Sequence, residues 1–175
     1  MKRSICLTLV TQLIFSTYAQ ASNLDSAKMK IHTPAFEDGA IIPRKYTCDG
    51  ADVNPPLLIE GVPNTAQSLV LIVDDPDAPR GTWNHWLLWN IDPTTKEIKE
   101  NTVPRHAVQG TTDFGTAKYG GPCPPSGTHR YFFRLYALDT KLNLPQGGKR
   151  ADLDKAMQKH AIDQAVLMGR YSRSK

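Results

Sequence analysis

The stretch Ser68 to Val73, Ser-Leu-Val-Leu-Ile-Val, constrains this chain more than any other. Its apolar run from Leu69 to Val73 has no polar face, and Val70, Ile72 and Val73 are β-branched. Such a strand needs apolar cover on both sides, so it belongs in the middle of a sheet. Two further runs, Trp83 to Ile91 (WNHWLLWNI) and Thr128 to Leu138 (THRYFFRLYAL), fit strands by length and by aromatic and β-branched content. Shorter candidates are Lys30–His32, Ala40–Ile42 and Leu57–Ile59, the last behind the Asn54-Pro55-Pro56 breaker. DDPDAPRG and YGGPCPPSG separate the strong runs, and proline marks both as loops. One helix is predicted after Gly147-Gly148, with Leu153, Ala156, Met157 and His160 at the spacing of a core-facing stripe. Gln164 to Tyr171 fits either an extension of that helix or a last strand. The expectation is a mainly β fold, an antiparallel β-sandwich with one C-terminal helix.

The N-terminus reads as a secretory leader over residues 1–21. Lys2 and Arg3 form a basic start, Ile5 to Phe15 a short apolar run, and Ala19-Gln20-Ala21 a small-x-small cleavage site. The apolar run is too short to span a bilayer. Residues 22–175 then form a single exported domain, periplasmic or secreted. Cleavage removes two basic residues and no acid, so the formal charge of +4 falls to +2. That small charge, without a Lys/Arg run interleaved with aromatics, gives no case for nucleic acid. Cys6 leaves with the leader. Cys48 and Cys123 remain, and an even pair in an exported chain suggests a disulfide, the alternative being two free buried thiols.

Strand parity sorts the polar groups. In the 128–138 run, His129, Tyr131, Phe133 and Leu135 share one face, and Arg130, Phe132, Arg134 and Tyr136 the other. His85 shares its face with Leu87 and Trp89, and Asp75 shares one with Leu69, Leu71 and Val73. Asp75, His85 and His129 therefore stand at strand ends beside rigid loops, where sites tend to lie. Each alone has a bland explanation as a core histidine or a turn initiator. Together, two imidazoles, the Tyr131 hydroxyl and backbone N–H groups at Gly120-Gly121 make a set of donors suited to a phosphate or carboxylate. Asp75 fits such a set by accepting a proton from one imidazole and fixing its tautomer. Trp83 and Trp86 are placed at the mouth, where an aromatic face can hold an ammonium group.

Three ordered motifs carry a family resemblance: D-P-D-A-P at Asp75 to Pro79, N-H-W at Asn84 to Trp86, and Y-G-G-P-C-P-P-S-G-T-H-R-Y at Tyr119 to Tyr131. Over about Met29 to Tyr171 the chain resembles the phosphatidylethanolamine-binding protein family, in particular its bacterial Raf-kinase-inhibitor-like branch of the YbhB/YbcL type. The resemblance implies a large antiparallel sheet packed on a smaller one, and it favours a final strand through Val166 to Tyr171. It implies a pocket for phosphate-like anions and phosphoethanolamine-type head groups, built from Asp75, His85, Gly121, His129 and Tyr131 with Pro79 in the wall. It also makes a homodimer an expectation. Cys123 stands where many eukaryotic members have a small loop residue, so a bridge to Cys48 would pin the pocket rim. The additional C-terminal helix and pocket tyrosine of some eukaryotic members have no counterpart here, and kinase inhibition is not carried over. The expected function is a non-enzymatic, exported binding protein for a small anion or phospholipid head group, without cofactor or metal. The alternatives are a hydrolase using Cys123 or Ser126 with His129 and Asp75, a metal site at Asp75, His85 and His129, and a secreted effector that binds another protein. No G-x-S-x-G elbow or H-E-x-x-H motif supports the first two.

Overall fold

The run that demanded cover on both sides has it. In the computed structural model, which describes residues 28–173, strand β3 (Ser68–Asp75) is buried along its whole length. The expected leader lies outside the described residues. β3 is the centre of a five-stranded antiparallel sheet with β4 (Trp83–Ile91), β6 (Val108–Gln109), β7 (Thr128–Leu138) and β8 (Ala161–Ser172), in the order β6-β4-β3-β7-β8. A smaller antiparallel sheet, β1-β2-β5, is formed by β1 (Lys30–His32), β2 (Leu57–Glu60) and β5 (Glu97–Ile98). Leu69, Leu71 and Val73 meet Ile31, Leu57 and Ile59 between the two sheets. Val70 and Ile72 face the other way and pack with Leu87, Trp89, Leu153 and Met157. The helix α1 (Arg150–Met157) covers that second face. Each fully buried aliphatic side chain contributes roughly 1.5–3 kcal/mol, so the five consecutive apolar residues of β3 anchor both layers.

Two expectations change in detail, and one open choice is decided. His160 is not on the helix, which ends before it: Lys159 takes a φ of 71° and the chain turns into β8. The His160 ring instead meets Asp139 at 2.8 Å on the surface. Residues 164–171 are strand, the alternative that the family resemblance favours, so the helix is followed by the longest strand. Ala40–Ile42 forms no strand; Ile41 makes a single parallel bridge to Arg170. The N–H groups of Gly39 and Ile42 donate to Met168 and Arg170, and so cover part of the β8 edge. No helix among the described residues is long and apolar enough to cross a membrane.

Candidate functional site

Antiparallel pairing brings the end of β3 and the starts of β4 and β7 to one sheet edge. Asp75 closes β3 opposite Trp83, and the ladder to β7 stops at Asp74 opposite Phe132. Beyond that point the side chains of Asp75, His85 and His129 line one cavity of about 320 Å³.

His85 reaches it through a bulge. Val73 pairs with Trp86 but Asp74 pairs with Asn84, so β4 carries one extra residue there. A bulge turns two consecutive side chains toward the same side. His85 and Trp86 both face the space between the sheets, and the His85 ring meets Tyr131 edge-on with centroids 5.2 Å apart. The parity expectation that groups His85 with Leu87 and Trp89 fails for this reason. Trp86 is also corrected. It is buried in the core, donates from Nε1 to Gln109 and packs edge-on against Tyr119, so it does not reach the mouth. Trp83, two positions clear of the bulge, does line the cavity.

Both imidazoles are anchored by Nδ1. His129 Nδ1 donates to Asp75 Oδ2 at 2.7 Å, a buried pair. Asp75 Oδ1 accepts the Asp77 N–H at 2.8 Å, which fixes the turn that follows. Asp77 in turn accepts three hydrogen bonds from Arg130, beside His129, and Arg130 holds the Asp77 carboxyl down to about 2. His85 Nδ1 lies 2.7 Å from the Gly120 carbonyl oxygen. A carbonyl can only accept, so this nitrogen carries the proton. Burial depresses the His85 pKa, which leaves the ring neutral at pH 7 and its Nε2 with a lone pair. In both rings Nε2 is the nitrogen free for a guest.

Tyr131 and Gly121 stand behind the cavity lining rather than in it. Tyr131 is fully buried and is not among the side chains lining the cavity. Its hydroxyl is the one fully buried side-chain N or O atom without a partner among the described residues. Burial, followed by the charge of Asp75, keeps it protonated. The two loop glycines form no anion-binding nest, because the Gly120 N–H donates to His85 O and the Gly121 N–H to Asp52 Oδ1. Their lack of a side chain matters instead. A Cβ at Gly121 would lie 2.5 Å from the Tyr46 carbonyl oxygen and 2.7 Å from Thr47 Cα. A Cβ at Gly120 would lie 2.5 Å from the Phe114 ring.

The glycines thus seat the rim loop on its neighbours, and a disulfide holds it there: Cys48 and Cys123 are bonded. Cys123, Pro79 and Pro125 form the wall, and Trp83 and Phe114 form an aromatic rim with ring centroids 5.5 Å apart. Phe114 was not among the residues expected at the site. The only signal was an exposed aromatic in the otherwise polar loop Thr111-Thr112-Asp113-Phe114-Gly115. Ser126 is exposed and hydrogen-bonds to neither imidazole. Among the described residues, no three His, Cys, Asp or Glu side chains cluster as metal ligands. On the opposite face of the sheet Asp74 is paired with Arg134 and Arg150, and Arg150 also bonds Asn84 behind the bulge.

An antiparallel sandwich with a small histidine-lined cavity at the end of its central strand defines a class, and the comparisons agree with it. The family model for phosphatidylethanolamine-binding protein matches residues 32–172. The chain belongs to this family. A UPF0098 protein of Methanothermobacter thermautotrophicus is 51% identical over 150 residues, covering 83% of this chain and 99% of that one. UPF0098 protein PH1269 of Pyrococcus horikoshii is 46% identical over 99% of this chain and 91% of its own length. Among solved structures, a Chlamydia trachomatis homologue of phosphatidylethanolamine-binding proteins superposes with a TM-score of 0.81 at 41% identity, covering 84% of this chain and 99% of that one. YbcL of E. coli, described as a new member of the mammalian family, superposes with a TM-score of 0.79 at 29% identity, covering 85% of this chain and all of that one.

Proposed function

We propose that this protein binds small phosphate-type anions, including the acidic end of a phosphoethanolamine-like head group, without chemically converting them. The observation that carries this reading is the pair of imidazoles in one cavity, each tied down at Nδ1 with Nε2 left free. An anion placed between them receives a hydrogen bond from each ring once both Nε2 atoms carry protons, and its own charge favours that protonation. Three features support binding without turnover. The Cys123 sulfur is already bonded to Cys48, Ser126 has no base, and Asp75 is committed to orienting His129. Export fits the leader pattern and the disulfide, since such bonds persist in oxidising compartments.

The test is a titration of the disulfide-intact protein with inorganic phosphate and with phosphoethanolamine, following the ring signals of His85 and His129. Both rings are expected to shift along one saturation curve. Unchanged signals at millimolar ligand would overturn the proposal.

A further inference from the structure

His85 points into the cavity only because β4 is bulged beside it. From Leu71 opposite Leu88 to Val73 opposite Trp86 the ladder between β3 and β4 is regular. Continued without a break, it would pair Asp74 with His85. The imidazole would then face the helix-covered side with Leu87 and Trp89. The chain pairs Asp74 with Asn84 instead. An extra residue disrupts a ladder, so contacts outside the ladder must favour this register.

Those contacts lie on the far face of the sheet. Asp74 is 2% exposed and faces the helix-covered side, with Asn84 opposite it. Arg150, the first residue of α1, reaches both. Its Nη1 donates to Asn84 Oδ1 at 2.9 Å and to Asp74 Oδ2 at 3.3 Å, and its Nε donates to Asp154 at 2.8 Å. Asn84 Nδ2 donates in turn to Asp113 Oδ2 at 2.8 Å, which also accepts the Asn84 N–H. The Asp113 N–H returns to the Asn84 carbonyl oxygen at 3.2 Å. Asp113 thus stands in for a ladder partner beside the bulge, and its neighbour Phe114 is set edge-on against the His85 ring. The guanidinium donates and the Asp113 carboxylate accepts, so the Asn84 amide fits between them in one orientation. The start of α1 is itself fixed, because Thr111 donates from N–H and Oγ1 to the Gly148 and Gly147 carbonyls. In the regular register the Asn84 side chain would face the other way and lose Arg150. Arg150 therefore makes a contact in the bulged arrangement that the regular one lacks, and a differential contact of this kind is what biases one arrangement over another.

We infer that Arg150 is a positioning residue for the anion site: from the opposite face of the sheet it selects the register of β4 that points His85 into the cavity. The inference rests on the anion-binding reading above for its functional meaning and on the β4 geometry for its structural one. Arg134 provides the contrast. It bonds both oxygens of Asp74 from β7, but among the described residues it makes no hydrogen bond to Asn84.

The test compares Arg150→Met with Arg134→Met in the disulfide-intact protein. Each variant leaves Asp74 one arginine, and only the first releases Asn84. The readouts are the ring-nitrogen NMR signals of His85 and His129 in the free protein, and phosphate affinity by calorimetry. In the unsubstituted protein His85 is expected as one tautomer, with its proton on Nδ1 and bonded to the Gly120 carbonyl. In Arg150→Met the His85 signals are expected to move toward those of an unfixed ring, while His129, held by Asp75, stays in place. Phosphate affinity falls about tenfold. Arg134→Met leaves the His85 signals in place and phosphate affinity within about twofold. If Arg150→Met does not fold, Arg150→Lys takes its place. That variant keeps a cation beside Asp74 but not the planar fork that spans Asp74 and Asn84, and the same movement of the His85 signals is expected. His85 signals that stay unchanged in the Arg150 variant, or that move equally in both variants, would overturn the inference and leave the anion-binding reading standing. If the unsubstituted protein binds no phosphate, that reading falls, and the ring signals of the free protein still decide whether Arg150 sets the register.

Discussion

A neutral His85 makes anion binding a proton-coupled event, and pH is the perturbation that exposes it. Its Nδ1–H is fixed on the Gly120 carbonyl, so in the free protein Nε2 meets an incoming anion with a lone pair. Binding requires a proton on Nε2, or an anion that brings its own. Sulfate brings none and keeps its charge across the useful range, so it isolates the effect of the ring. If each sulfate takes up one proton, affinity changes by as much as about tenfold per pH unit, or about 1.4 kcal/mol. Lowering the pH from about 7.5 to about 5.5 then strengthens binding by up to roughly 100-fold. Calorimetry in two buffers of different ionisation enthalpy reads both the affinity and the proton uptake. His85→Gln removes that ring's contribution and lowers the slope. Folding stability of the free protein moves in the opposite sense. The folded pKa lies below the ordinary 6.5, so the unfolded chain takes up the proton first and acidification below that value destabilises the fold. Affinity that rises while stability falls cannot come from general acid damage. A flat sulfate profile, or affinity that weakens toward acid, would refute the protonation argument.

Other consequences are equally open to measurement. The Cys48–Cys123 bridge closes a separation of 75 residues, for which chain entropy allows about 4 kcal/mol. Cys48→Ser with Cys123→Ser is expected to lower the urea midpoint and weaken phosphate binding, and an unchanged midpoint would count against a structural role for the bridge. Gly121→Ala forces a methyl against the Tyr46 and Thr47 backbone, and the expected cost is at least about 2 kcal/mol in denaturant unfolding. Trp86→Phe leaves a cavity and strips Gln109 of its partner, so it should cost roughly 2 kcal/mol of stability while phosphate affinity stays put. A selective loss of affinity in that variant would return Trp86 to the site.

What could be read from the sequence follows from which signals are local. The apolar run of β3 is a statement about both its faces, and it held because nothing interrupts the strand. Parity in β7 held for the same reason, placing His129, Tyr131, Phe133 and Leu135 on the buried inter-sheet face. In β4 parity failed at both ends, at His85 and at Ile91, because a bulge is a property of two paired strands and leaves no mark in the one that carries it. The extra residue between Trp86 and Asn84 turns His85 from the helix-covered face toward Tyr131. The loop glycines were legible as special but not in their role: sequence shows a missing side chain, not which neighbour fills the space. Phe114 stayed hidden because its importance comes from a contact with Gly120, to which no spacing rule ties it. The motifs marked strand ends that the fold brings to one cavity, and only the three-dimensional structure separates Trp83 at the rim from Trp86 in the core.

The most direct check of the anion site is a crystal structure of the disulfide-bonded protein grown from phosphate. The account predicts tetrahedral density in the cavity, with oxygens about 2.7–3.2 Å from Nε2 of both His85 and His129. Phosphate bound elsewhere on the surface, with the space between those two nitrogens holding only water or a hydrophobic side chain, would contradict it.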